Sequence, residues 1–95
     1  MADNSVMTNI SAVESYGKNL QKAQQQILQI IQQVKKQTES VGNVWKDRQF
    51  QRFNGDFNEN IFKPVMKAAA MMENEAHYIE KTVQLQREIQ KLKIR

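Results

Sequence analysis

Apolar residues recur every three or four positions on both sides of a single tryptophan, Trp45, near the midpoint of this 95-residue chain. Few folds satisfy that pattern. Upstream, a strict four-three spacing picks out Val6, Ile10, Val13, Gly17, Leu20, Gln24, Ile27, Ile31, Val34, Thr38, Val41 and Trp45. The residues between them are mostly Gln, Lys, Asn and Ser, as the solvated side of an amphipathic helix requires. Downstream, the stripe reads Phe50, Phe53, Phe57, Ile61, Pro64, Ala68, Met71, Glu75, Tyr78, Thr82, Leu85, Ile89 and Leu92. The pattern predicts an all-α fold, an antiparallel two-helix hairpin with a large aromatic at its bend.

Local signals set the expected boundaries. Helix 1 is predicted over about 5–41, with Asn4 or Ser5 as its cap and Ser11 to Glu14 as a second capping box. Gly42 and Asn43 both tolerate a left-handed backbone and supply the stop, so the bend falls at about 42–46. Helix 2 then runs over about 47–92, with Asp47 at the cap or in the first turn. The spacing slips between Phe53 and Ile61, and Pro64 follows. An interior proline removes a hydrogen bond and strains the carbonyl four residues back, here Asn60, which predicts a kink near 60–64.

Folding the two stripes together predicts which residues meet. Val34 should face Phe53, Ile31 Phe57, Ile27 Ile61 and Leu20 Ala68. Gly17 should meet Met71, small against large. Gln24 falls opposite Pro64, its amide within reach of the Asn60 carbonyl. The expected hairpin seam is Leu20, Ile27, Ile31, Val34, Phe50, Phe53, Phe57, Ile61, Met71 and Tyr78. Beyond Thr82, helix 2 should outrun helix 1, so that Leu85, Ile89 and Leu92 either fray or meet another molecule. A second stripe, Val65, Met72, Ile79 and Val83, lies beside that seam. It either widens the core or, with Leu85, Ile89 and Leu92, docks a second hairpin to give a dimeric four-helix bundle.

Size points the same way. A chain this small buries only about 60–65% of its unfolded surface, and it has no cysteine to staple the core. Helical chains of this kind gain burial by associating, so a homodimer or a heterodimer with another helical hairpin or an effector domain is expected. Residues 1–8 lack the basic and apolar regions of a secretory signal. The apolar run Ala68 to Met72 is far short of the roughly 20 residues a membrane span needs. The chain is expected to be made in the cytoplasm and, if it leaves the cell, to do so without a cleaved signal.

Catalytic signals are weak. His77 is the only histidine, the serines (Ser5, Ser11, Ser15, Ser40) all belong to helix 1, and no glycine-rich phosphate loop exists. Glu73, His77 and Glu80 share one helix face, but the Glu-x-x-His pattern of di-iron bundles is missing, and a solvated charged face is the better account. No catalytic residue, metal or cofactor is therefore assigned. The net charge of +4 is modest, although Arg87, Lys91, Lys93 and Arg95 near the C-terminus face only Glu88. That tail could touch phosphates or anionic lipids, or simply suit a helix C-terminus. Asp56 and Glu59 break up the basic residues Arg48, Arg52, Lys63 and Lys67, which disfavours a nucleic-acid surface. The aromatic group Trp45, Phe50, Phe53 and Phe57 seals the bend or anchors a partner there.

The length, the midpoint Trp45-Lys46-Asp47 and the following Phe50, Phe53 and Phe57 together resemble the WXG100 (ESAT-6-like) family across nearly the whole chain. The resemblance implies a dimeric helical bundle that is exported by a type VII secretion system or escorts a larger toxin. Asp47 stands where the family motif has glycine, making Trp45 and Asp47 the motif positions at the bend. The family's tail signal, a tyrosine followed four residues later by an acid, is not present, since Thr82 follows Tyr78 at that offset. The chain then reads as the partner lacking the signal, or as a divergent branch serving other machinery such as a type VI apparatus. The leading expectation is a non-enzymatic secreted factor, or an adaptor or chaperone for a secreted effector. The alternative is a small basic helical protein that binds nucleic acid or a membrane surface through its tail.

Overall fold

The computed structural model describes residues 7–94, with side chains as far as Leu92. It is a helical hairpin. One arm is α1 (Ile10–Val41); the other is a continuous run of α2 (Arg48–Phe57), a π-helical turn (Asn58–Phe62) and α3 (Lys63–Ile94). The molecule is 71 Å long and only 14 Å thick, a single layer of two helices. No helix among the described residues is long and apolar enough to cross a membrane.

Capping explains where each arm starts. The Asn9 side chain accepts from the Ala12 N–H at 3.0 Å, so α1 begins at Ile10 and not near residue 5. Ser11 falls inside its first turn, while Asn4, Ser5 and Val6 lie outside the described residues. At the bend, Asp47 accepts from the Phe50 N–H at 3.1 Å and α2 starts at Arg48. Gly42 ends α1 for a reason other than left-handed geometry. Its φ is −62°, and among the described residues none has positive φ. A Cβ at Gly42 would sit 2.9 Å from Cε2 of Phe50, so glycine lets that buried ring close over the end of the helix.

A π turn stands beside the expected kink, and it corrects the expected seam. The Lys63 N–H donates to the Asn58 carbonyl, five residues back. This turn takes up one more residue than an α-helix would, rotating everything after it by about 100°. Pro64 follows the turn at an exposed position. Before the turn, the expected seam and the core agree at Phe50 and Phe57, both buried. Past the turn, each inward residue is the one after its expected counterpart. Phe62, Val65, Ala69, Met72, Ala76, Ile79 and Val83 point inward, while Ile61, Met71 and Tyr78 are exposed. Phe53, also assigned to the seam, is 47% exposed. On α1, Gly17, Gln24, Ile31 and Thr38 form the buried row, one every seven residues, with Leu20, Ile27 and Val34 half-buried beside it.

The pairing register is longer than expected. Gly17 lies against Ile79, not Met71, and a Cβ on Gly17 would come within 2.8 Å of the Ile79 Cγ2. Small residues, Gly17, Ala69 and Ala76, thus let the arms approach closely. Lys35 fastens the π turn, donating to Asn58 Oδ1 at 3.2 Å with its ammonium 4.7 Å from the centre of the Phe62 ring. Gln24 is buried, but the register carries it roughly two turns past Pro64. It makes no bond to Asn60. Pairing also continues past Thr82: Arg87 grips Glu14 with two hydrogen bonds of 2.9 Å. The buried Thr38 hydroxyl is satisfied by the Val34 carbonyl at 2.9 Å.

Candidate interaction surface

A two-helix layer has two broad faces, and here they differ. On one face, the residues beside the Gly17–Ile79 contact are Glu14, Lys18 and Gln21 from α1 and His77, Glu80 and Gln84 from α3. They surround a cleft of 140 Å³. His77 stands between Glu73 (3.9 Å) and Glu80 (3.8 Å), and all three side chains are at least half exposed. At the edge of this face the Arg87 guanidinium holds the Glu14 carboxyl below its usual pKa, chiefly by hydrogen bonding, and Glu14 in turn raises that of Arg87. Arg87 is therefore engaged with α1. Of the other tail cations, the side chains of Lys93 and Arg95 lie outside the described ones.

The opposite face is apolar. Tyr16 and Leu20 from α1 meet Ala68, Met71, Met72 and Tyr78 from α3 along an open groove. The same side of α1 continues through Ala23, Ile27, Ile30 and Val34, and that of α3 through Leu85, Ile89 and Leu92. Much of this surface is uncovered: Met71 is 59% exposed, Tyr78 66% and Leu92 70%. Scattered exposed apolar side chains are ordinary, whereas here several line one open groove.

The residues assigned from the sequence to a partner interface thus divide. Val65, Met72, Ile79 and Val83 face α1, with Val83 among the most buried side chains. Leu85, Ile89 and Leu92 are exposed. Ile61, Met71 and Tyr78, assigned to the seam, join them on the outside. The signal that separates the stripes was legible: Ala69 and Ala76 are small and Met71 and Tyr78 large, and only the former suit a close helix pair.

Trp45 closes the bend. Its ring lies 5.4 Å from that of Phe50 and 6.3 Å from that of Phe53. It remains 37% exposed, beside an almost fully exposed Val44. The aromatic group therefore seals the end of the hairpin and leaves part of its surface open.

In comparisons with protein families, with curated proteins and with solved structures, nothing matches the chain. The functional reading therefore rests on the surface itself.

Proposed function

We propose that this protein is a non-enzymatic helical adaptor whose apolar face docks a second helical hairpin, or an effector's helical domain, into a four-helix bundle. The observation that carries the reading is the uncovered strip from Tyr16 and Leu20 across to Met71, Tyr78 and Leu85. Two amphipathic arms with an apolar face left over form half of a bundle, and a second pair of helices completes it. The resemblance of the Trp45 segment and its flanking heptads to the WXG100 family adds the setting. In that setting the chain serves a specialised secretion system of the type VII kind, or a type VI apparatus, as a secreted factor or as the chaperone of an effector.

The test uses the full chain as bait in its native cell. Met71→Lys and Tyr78→Lys should leave thermal unfolding unchanged, because both side chains are exposed, yet lose the helical partner that the wild type captures. Retention of the partner by both variants would remove the apolar face from the account. Loss of effector export on deleting the protein, restored by the wild type and not by Tyr78→Lys, would tie the face to secretion.

A further inference from the structure

One charged side chain lines the apolar groove. Glu75 lies in the groove among Tyr16, Leu20, Met71, Met72 and Tyr78. Among the described residues no lysine or arginine pairs with it. We propose that the partner received by this face is a different protein that brings a lysine or arginine to Glu75, and that Glu75 excludes a second copy of this chain. The inference rests on the reading of the face as a docking surface.

The argument is one of charge complementarity. Covering the groove takes the Glu75 carboxylate out of water. A carboxylate buried without a cation is strongly unfavourable, whereas one met by a basic side chain can set partner and register, as polar groups do in a helical seam. The rows that line the groove of a second copy offer no cation, and its nearest lysines on α3, Lys67 and Lys81, are exposed outside those rows. On α1 the rows are Leu20, Ile27 and Val34 with Tyr16, Ala23 and Ile30, all uncharged. On α3, Glu75 alternates with Ala68 and Thr82 beside Met71, Tyr78 and Leu85. Face-to-face self-pairing would therefore set Glu75 against apolar side chains or against another Glu75. Like charges and unpaired charges at an interface are a recognised means of excluding the wrong partner.

The test is the association state of the purified full chain by sedimentation across micromolar to submillimolar concentrations. Wild type should remain monomeric, and Glu75→Leu should self-associate about a hundredfold more tightly or better. Circular dichroism checks that the variant folds. Wild type is then mixed with second copies carrying one lysine on the face, Ala68→Lys, Glu75→Lys or Thr82→Lys. These sites are a heptad apart, so that each samples a different register. One mixture should give a salt-sensitive one-to-one heterodimer although neither component associates alone. Wild type that dimerises as tightly as Glu75→Leu would overturn the exclusion, leaving the docking surface standing. Association of Glu75→Leu with no associating mixture would overturn the need for a cation. If neither Glu75→Leu nor any mixture associates, the docking surface itself is refuted.

Discussion

Two stripes run along α3, one residue apart, and they meet opposite fates. The inner stripe, Ala69, Met72, Ala76, Ile79 and Val83, packs on α1; the outer, Met71, Tyr78, Leu85 and Leu92, is bare. Hydrophobicity alone does not separate them. What does is size and phase. The inner stripe carries small residues where the arms approach most closely, with Gly17 opposite Ile79. The π turn at Asn58–Phe62 supplies the single-residue offset that points this stripe inward. The outer stripe stays exposed, as the docking surface proposed above requires.

Substitutions matched across the two stripes should give the largest contrast. Val83 is 2% exposed and sits on the inner stripe, so Val83→Asp buries an unpaired carboxylate and should cost about 4 kcal/mol or more, enough to unfold so thin a core. Leu85→Asp, two residues away on the outer stripe, should stay within about 0.5 kcal/mol of wild type. Chemical denaturation measures both, and equal losses would mean that the stripes are not distinct. The aromatic end offers the next contrast. Phe57→Ala should cost about 3–5 kcal/mol, whereas Phe53→Ala, half exposed, should cost about 1 kcal/mol.

Glycines repeat the comparison on a smaller scale. A methyl at Gly17 would collide with the Ile79 Cγ2, so overpacking outweighs the gain in helix propensity and Gly17→Ala should cost about 1 kcal/mol net. At Gly55 nothing lies within 4 Å of the added Cβ, and Gly55→Ala should stabilise α2 by about 0.5–1 kcal/mol. Opposite signs for the two glycines are the expected result. The same sign would show that the Gly17–Ile79 approach is not a constraint.

The sequence carried the two arms, the bend and the whole inward row of α1, because Ile10 to Thr38 keeps one period without interruption. It did not by itself decide the face of α3. The slip between Phe53 and Ile61 and the nearby Pro64 located the disturbance, but an α-helical kink preserves phase and a π turn does not. Continuing the phase from Phe57 selected Ile61, Met71 and Tyr78, each one residue too early. The pairing register failed separately: Gly17 was assigned to Met71, about two turns short of Ile79, far more than the one residue the π turn adds. Small residues held the missing information: Ala69 and Ala76 opposite α1 distinguish a tight intramolecular seam from a bulky outer one.

The smallest effect belongs to the polar face, where the Glu14–Arg87 pair ties the open end of the hairpin. Arg87 lowers the Glu14 pKa below the ordinary 4.5, mainly through the paired hydrogen bonds. A carboxyl with a depressed folded-state pKa adds stability above its unfolded value, and that stability is lost as the pH falls through the folded value. The contribution is therefore complete above about pH 4.5 and disappears in more acid solution. Glu14 is exposed to solvent screening, so the effect is slight. Thermal midpoints measured from pH 6 to pH 3 should fall slightly less for Glu14→Gln than for wild type, with the two curves converging at the acid end. Raising the salt concentration should shrink the gap between them at pH 6. Parallel curves across the whole range would mean that the polar face contributes nothing to closing the hairpin, leaving the inner stripe to hold the arms together alone.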